Sequence, residues 1–280
     1  MLRVLLPVSI CFFALLPLAR AESAPPIQDN SFLIEEAYNQ EKGVVQHINT
    51  FTYYSASHDW SYSFTQEWPV GGLRHQFSYT LTSARPGAFA ARGAGIGDAF
   101  INYRYQLIGS GETRVAFSPR LSLILPAGDP DFGRGYGGAG LQSNLPVSVV
   151  LLPKLVSHWN AGGTFVPHAR DASGDRATSW SYNAGQSFIW LAHSRFNVML
   201  ETYYANSQAV TAPGQTEWSQ SLFVSPGVRW AYNFSSGLQI VPGFAVPIGV
   251  GPSEGEKGVF VYLSFEHPFR KIIGSKADGF

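Results

Sequence analysis

The sequence predicts an all-β fold, a transmembrane antiparallel up-and-down β-barrel of about twelve strands that follows a cleaved signal peptide. Three observations lead to this prediction: a period-two alternation of apolar and polar residues, the composition, and the order of short and long connections. Charged residues make up only 14% of the chain, whereas a typical soluble domain carries about 25%. Aromatic residues also reach 14%. Sparse charge with many aromatic side chains suits a surface in lipid better than a surface in water.

The alternation runs from about residue 44 to residue 269. In the second predicted strand Trp60, Tyr62 and Phe64 share one face, while Ser61 and Ser63 share the other. The first predicted strand alternates poorly. The predicted strand cores are 44–55, 60–68, 73–82, 96–107, 114–125, 141–152, 155–166, 179–192, 195–205, 217–233, 238–247 and 258–269.

A membrane location restricts the architecture to two classes. Only helices and closed barrels satisfy every backbone polar group inside a bilayer. The sequence after residue 21 contains no apolar run of the roughly 18 residues that a spanning helix needs. A closed barrel is therefore the predicted form.

The connections between strands are sorted by length. The connections after even-numbered strands are short, at 69–72, 108–112, 153–154, 193–194 and 234–237. Those after odd-numbered strands are mostly long, at 83–95, 127–140, 167–178, 206–216 and 248–257. Outer-membrane barrels have short periplasmic turns and longer outer loops, so both ends of the barrel are predicted to lie in the periplasm. The glycine-rich loop 127–140 is predicted to fold back over the mouth.

Tryptophan residues indicate the height of the strands. Three predicted strands each carry two tryptophans on one face, eight, ten or twelve residues apart. A tilted strand climbs about 2.5 Å per residue, so these pairs span roughly 20 to 30 Å. The apolar band of an outer-membrane barrel is about 25 Å tall with aromatic girdles at both rims. The pairs assigned to the two rims are Trp60 with Trp68, Trp180 with Trp190, and Trp218 with Trp230.

Residues 1–21 have the features of a secretory signal peptide. Arg3 supplies a positive charge, residues 4–18 form an apolar run, and Ala19-Arg20-Ala21 is an A-x-A cleavage site. The only cysteine, Cys11, lies in this segment. We therefore expect the mature chain to be stabilised without disulfides.

The predicted barrel, residues 44–269, is flanked by two further segments. Residues 22–43 are too polar for a lipid-facing strand and are predicted to be an N-terminal periplasmic or lumenal segment, with a short helix over 32–38. This segment either plugs the lumen or leads into the barrel from the periplasm. Residues 256–263, with Phe269 closing the last strand, look like the sorting signal read by barrel-assembly machinery. A tail, residues 270–280, follows.

The polar face of the predicted strands carries charged residues of both signs. Eight-stranded barrels are filled by side chains and sixteen-stranded barrels hold an aqueous pore. A barrel of twelve strands is therefore compatible with either a water-filled lumen or an occluded one. Arg104, Arg114 and Arg120 form a candidate ladder of positive charges that selects anions. The alternative is that Asp98 and Glu201 neutralise these charges. The full set of candidate lumen-facing residues is Glu67, Arg74, Asp98, Arg104, Arg114, Arg120, Glu201, Arg229 and Glu266.

Three stretches carry a family likeness: residues 27–41 (IQDNSFLIEEAYNQE), residues 95–98 (GIGD) with 102–107 (NYRYQL), and residues 119–129 (PRLSLILPAGD). Together they resemble the outer-membrane transporters grouped under the phenol-degradation meta-pathway label. The likeness covers most of the mature chain. It implies a barrel that passes small, aromatic molecules, and it supplies no catalytic residues.

The predicted function is a bacterial outer-membrane channel or transporter for small solutes, aromatic or anionic. The alternatives are a barrel with a structural role and a barrel-embedded lipid hydrolase. Twelve-stranded outer-membrane phospholipases place a histidine and a serine two residues apart on one strand, and none of the seven histidines here has that spacing. We therefore predict no enzyme, no catalytic or cofactor-binding residues and no metal site.

The expected partners follow from this location and charge. They are outer-membrane lipids, a small-molecule solute and, during biogenesis, the barrel-assembly machinery. The formal net charge is zero, so no nucleic-acid partner is predicted.

Overall fold

The computed structural model of the protein describes residues 30–268. The predicted signal peptide, residues 22–29, Phe269 and the tail 270–280 lie outside the described residues. Within the described chain, twelve antiparallel strands follow one another. They are β1 (Val44–Tyr54), β2 (Trp60–Pro69), β3 (His75–Arg85), β4 (Gly95–Tyr105), β5 (Val115–Phe117 and Arg120–Leu125), β6 (Gly140–Asn144 and Val147–Leu152), β7 (Leu155–Arg170), β8 (Arg176–His193), β9 (Phe196–Ala212), β10 (Gln215–Trp230 and Tyr232–Asn233), β11 (Gln239–Ala245 and Ile248–Gly249) and β12 (Gly258–Pro268).

The sheet closes on itself. Each strand pairs with the next along the chain, and β1 pairs with β12 over its whole length, from Val44↔Pro268 to Tyr54↔Gly258. Every strand therefore has two neighbours, and the ring has no free edge. The predicted fold class, a closed up-and-down barrel, is confirmed.

Prolines interrupt the hydrogen-bond ladder in three of the strands. Pro119 divides β5, Pro146 divides β6 and Pro247 divides β11. Proline has no backbone N–H to donate to a neighbouring strand, so each one breaks the pairing locally. The breaks in β5 and β6 are adjacent, because the Ser118 N–H donates to the Pro146 carbonyl at 3.3 Å.

Apolar side chains face outward and most polar side chains face the lumen. On β5, Leu121, Leu123 and Leu125 are exposed, whereas Ser122 and Ile124 between them are buried. The predicted rim residues Trp180, Trp190 and Trp218 are exposed. An apolar outer face on a closed barrel is what a lipid environment requires.

The poor alternation of β1 has a structural cause. Ile48 lies on the inward face of β1, where a lumen residue is expected to be polar, and it packs, as Phe32 does, against a buried apolar cluster. Phe260 and Tyr262 of β12 are buried in the same cluster. The lumen is therefore apolar on this side because part of the chain itself occupies it.

Two of the predicted long loops are largely strand. β7 extends to Arg170 and β8 begins at Arg176, and β9 runs to Ala212, only two residues before β10 begins at Gln215. The apolar alternation fades where the strands extend past the lipid-facing belt, although the backbone pairing continues. The predicted loops 167–178 and 206–216 are accordingly wrong in extent.

Helical structure within residues 30–268 is confined to three short 3-10 helices, Gly87–Arg92, Pro130–Phe132 and Gly251–Ser253. The predicted short helix over residues 32–38 does not form, and these residues have an irregular extended backbone. Among the described residues, no helix combines the length and the apolar character needed to cross a membrane.

Leu121→Arg tests which face meets the lipid. An arginine at mid-membrane costs about 2–4 kcal/mol on the lipid face of a barrel, so this variant should lose that much stability when folded into vesicles and titrated with urea. The control is Thr65→Arg, since Thr65 lines a lumen cavity. It should lose much less, and equal losses would contradict the face assignment.

The two ends of β7 test the predicted orientation. Gly174 lies in the connection after β7, and Lys154 lies in the turn before it. If both ends of the barrel chain are periplasmic, antibody should label intact cells that carry an epitope tag at Gly174 and not cells that carry one at Lys154. The reverse labelling would invert the topology.

Candidate functional site

Residues 30–42, hereafter the inner segment, lie inside the barrel. Ile34, Ala37 and Gln40 are buried, and the backbone of the segment bonds to inward-facing side chains of several strands. The contacts progress from β3 at Gln40 to β10 at Asn30. The segment therefore follows the inner wall around the barrel before the chain enters β1.

Glu201 of β9 holds the first part of the inner segment. Its Oε1 accepts hydrogen bonds from three consecutive amides, those of Phe32 at 3.1 Å, Leu33 at 2.9 Å and Ile34 at 3.2 Å. Glu201 is itself fully buried. Three amide donors on one buried carboxyl oxygen make Glu201 a principal anchor of the segment.

Side-chain amides form hydrogen bonds to the backbone of the rest of the segment, as the backbone of a neighbouring strand would. Asn160 of β7 accepts from the Glu35 N–H and donates to the Glu35 carbonyl, both at 2.8 Å. Gln106, just after β4, donates to the Ala37 carbonyl at 2.8 Å and accepts from the Asn39 N–H at 3.0 Å. These bonds satisfy backbone groups that have no partner within regular secondary structure.

Three glycines in the wall make room for the inner segment. A Cβ on Gly243 would lie 2.5 Å from Phe32 Cζ, and one on Gly227 would lie 3.0 Å from Phe32 Cε2. A Cβ on Gly185 would lie 2.2 Å from Ile34 Cδ1. Glycine inside a strand often marks a close approach by another part of the chain, and here each of the three does so.

An aromatic cluster fixes the position of Phe32. Its ring lies 5.2 Å from the rings of both Phe260 and Tyr262, measured between centroids. The Arg229 guanidinium lies over the Tyr262 ring at 5.4 Å and donates to the Asn30 carbonyl. The predicted lumen residue Arg229 therefore anchors the start of the inner segment.

Glu35 of the inner segment lies between two arginines of the wall. Arg120 approaches it with Nη2 at 2.6 Å from Oε1 and with Nε at 2.9 Å from the same atom. Arg104 Nη2 lies 3.0 Å from Oε2, and its Nη1 lies 3.9 Å from Glu36 Oε1. The carboxylate that neutralises these arginines is thus on the inner segment.

The ion pairs keep Glu35 charged. Burial opposes ionisation of this side chain, but the charges of Arg120 and Arg104, with their hydrogen bonds, lower its pKa to about 2. Glu35 lies on the inner segment and not on a membrane-spanning strand. It therefore remains an anion throughout the pH range in which the protein is expected to work.

The long loop, residues 126–139, folds inward and is anchored by Asp98. The carboxylate of Asp98 accepts from the Gly128 N–H at 3.1 Å and from the Tyr136 N–H at 2.7 Å. Gly135 has φ +100 and approaches so closely that a Cβ there would lie 2.3 Å from Asp98 Oδ1. The structure agrees with the prediction that this loop folds back over the mouth.

Among the described residues, cavities of about 500 Å³ and about 320 Å³ lie inside the barrel. The larger lies beside the inner segment, and the smaller lies beneath the long loop. Both are lined by Thr50, Ser63 and Phe100, so they meet along the inward faces of β1, β2 and β4. Further hydroxyl groups line one or other of them: Ser61, Thr65, Ser78, Thr80, Thr82 and Ser83.

The candidate residues divide into four groups. Arg104 and Arg120 line the larger cavity together with Glu67, whereas Asp98, Glu201 and Arg229 anchor other parts of the chain. Glu266 of β12 accepts from Gln46 of β1 at 2.6 Å. Arg74 and Arg114 are exposed in the turns before β3 and β5 and line neither cavity, so the predicted ladder is reduced to Arg104 and Arg120.

A serine and a histidine from separate strands also meet in the lumen. Ser148 Oγ of β6 lies 2.7 Å from His158 Nδ1 of β7, and both side chains are buried. The same Ser148 hydroxyl accepts from the Ala37 N–H at 2.7 Å. The pair therefore holds the inner segment and lies away from the lipid. Within residues 30–268, no group of three or more acidic, histidine or cysteine side chains is arranged to hold a metal ion.

The sequence prediction included Glu201 and Arg229 but missed Glu35 and the uncharged wall residues that hold the inner segment, Asn160, Gln106 and Ser148. Glu35 stands outside the alternating pattern, so no strand parity assigned it a face. Two signals were present in the sequence: the glycines at 185, 227 and 243 inside predicted strands, and the adjacent acidic residues Glu35 and Glu36 before the barrel.

Comparison with known proteins supports the architecture. No family model and no curated protein sequence matches the chain. Among solved structures, the NanC porin superposes with a TM-score of 0.52 at 11% identity, covering 78% of this chain and 98% of the porin. The KdgM porin gives a TM-score of 0.46 at 6% identity, over 79% of this chain and 98% of that one.

These likenesses bear on the fold alone. The barrel of the NanC porin, the closed ring of strands and the apolar outer face agree with one another. The chain is thus a β-barrel of the bacterial outer membrane. Membership of the phenol-degradation group stays a prediction.

Gly243→Ala tests the fit of the inner segment to the wall. The added methyl would displace the Phe32 ring, and overpacking of this kind typically costs about 1–3 kcal/mol. We expect faster cleavage by trypsin after the exposed Lys42 in detergent-solubilised protein, and rescue by the added change Phe32→Ala. Gly163→Ala is the control, because its Cβ would meet only the Ser181 carbonyl, at 3.4 Å. Cleavage of Gly243→Ala at the wild-type rate would contradict the fit.

Proposed function

We propose that the protein is an outer-membrane channel for small solutes, which pass between the inner segment and the inward faces of β1 to β4. The observation that carries this proposal is the meeting of the two lumen cavities at Thr50, Ser63 and Phe100. One cavity borders the inner segment and the other borders the long loop, so together they extend along the barrel on one side.

The lining of this route suits small polar and anionic solutes. Hydroxyl groups offer both donors and acceptors, and several already pair across strands, such as Thr50 with Ser63 at 2.6 Å and Thr65 with Thr80 at 2.8 Å. Arg104 and Arg120 present guanidinium groups to the larger cavity, where Glu35 pairs with them, and Phe100, Tyr203 and Phe260 add aromatic surface. This lining suits aromatic solutes, as the family resemblance also implies, and anionic solutes that can pair with the arginines.

The two alternative functions have less support. A lipid hydrolase acts at the outer face, whereas the Ser148 and His158 pair is buried in the lumen and engaged by the inner segment. A purely structural barrel has no use for a hydroxyl-lined route that passes two arginines. The channel proposal accounts for both of these features.

Thr80→Trp tests the route. Thr80 lines the larger cavity, and an indole there should obstruct it and lower the single-channel conductance of the refolded protein in planar bilayers severalfold. Leu81→Trp is the matched control, because the neighbouring side chain faces outward and is half exposed. It should conduct as the wild type does.

Two results would contradict the proposal. Equal conductance of Thr80→Trp and Leu81→Trp would exclude this route. A wild-type protein that passes neither ions in bilayers nor benzoate and phenol in liposomes would exclude a channel function altogether.

A further inference from the structure

The guanidinium of Arg120 is held in place independently of Glu35. Its Nη1 donates to Asn102 Oδ1 at 3.3 Å and to the Ser122 hydroxyl, and its Nη2 donates to Gln142 Oε1 at 3.2 Å. Arg104 Nη1 likewise donates to the Tyr38 carbonyl at 2.8 Å. Both arginines are therefore oriented by groups other than the carboxylate between them.

The side chain of Glu35 is the accessible member of this cluster. Its exposed fraction is 29%, against 5% for Arg104 and 15% for Arg120. Glu35, Arg104 and Arg120 all line the larger cavity. A solute in that cavity thus meets the carboxylate and the edges of both guanidinium groups.

The backbone of Glu35 does not depend on its side chain. Asn160 holds both the N–H and the carbonyl of this residue at 2.8 Å. The neighbouring residues are held by Glu201 on one side and by Ser148 on the other. The Glu35 side chain is therefore able to turn into the cavity while the inner segment stays seated.

The direct ion pairs of Glu35 with Arg104 and Arg120 favour an anion at this position. Arg104 and Arg120 face Glu35, with Glu36 and Glu67 close enough to Arg104 to interact with it electrostatically. Removing one partner of a buried ion pair without replacement is strongly unfavourable. A second carboxylate that takes the place of Glu35 avoids that cost, because a carboxylate accepts the same bidentate hydrogen bonds.

We infer that Arg104 and Arg120 form a carboxylate-binding site of the channel, which Glu35 occupies as an internal ligand until a small carboxylate solute replaces it. The inference rests on the proposed channel function, since a solute reaches the site only by entering the lumen. It assigns the solute class as small organic carboxylates. A bound carboxylate would make the polar contacts with Arg104 and Arg120 that Glu35 makes in this structure.

Binding of benzoate to the purified protein in detergent, measured by isothermal titration calorimetry, tests this inference without reference to conductance. Glu35→Gln removes the competing charge and should bind benzoate about tenfold more tightly than the wild type, a change within the usual range of coupling between ligands. Adding Arg120→Gln to Glu35→Gln should abolish the gain. Neutral phenol should bind the variants no more tightly than it binds the wild type.

Glu41→Gln is the matched control. Glu41 is exposed at the end of the inner segment, so this substitution removes the same charge at a position away from the site. It should bind benzoate as the wild type does. If Glu35→Gln does not fold, Glu35→Asp keeps the charge with a shorter reach and should give a smaller gain.

Four outcomes separate the site from the channel. Equal benzoate affinity in Glu35→Gln and the wild type, or a gain that persists after Arg120→Gln, would overturn the carboxylate site even if the protein conducts. An equal gain for phenol would also overturn it. Tighter benzoate binding in a protein that shows no flux would support the site and overturn the channel.

Discussion

The satisfaction of backbone hydrogen bonds governs both parts of this structure. In a bilayer each unpaired N–H or carbonyl costs several kcal/mol, so the strands must close into a ring. The inner segment meets the same requirement without any strand partner. Its amides and carbonyls are paired by Glu201, Asn160, Gln106 and Ser148, so one half of the lumen is a polar surface shaped for the backbone of its own chain.

The charged residues connect this packing to the solute route. Glu35 belongs to the inner segment through its backbone and to the cavity through its side chain. Arg104 and Arg120 similarly touch the segment on one side and the open space on the other. A change in what these arginines bind therefore directly affects the residues that fill the lumen.

The barrel was predictable from the sequence, whereas its contents were not. A strand repeats every two residues, so parity alone placed Leu121 outward and Ser122 inward, and the structure agrees. The inner segment has no repeat, and its partners are distant along the chain: Glu35 meets Asn160 across 125 residues and Phe32 meets Glu201 across 169. The same segment explains why the first strand alternates poorly, because Ile48 faces inward and packs against the buried cluster that Phe32 also joins.

The inner segment lies closer to one side of the barrel than to the other. The wall therefore has two parts that differ in how freely their inward-facing residues can be substituted. Inward residues of β7 to β10, such as Asn160, Gly185, Glu201 and Gly227, are complementary to the segment, so a change at any one of them calls for a matching change in residues 30–42. Many inward residues of β1 to β3, such as Thr50, Ser63 and Thr65, line the cavities, although Gln76 of β3 bonds to Gln40. Among related barrels, diversification of the transported molecule would therefore be concentrated in the hydroxyl-bearing half, while the opposite half co-varies with the segment that it holds.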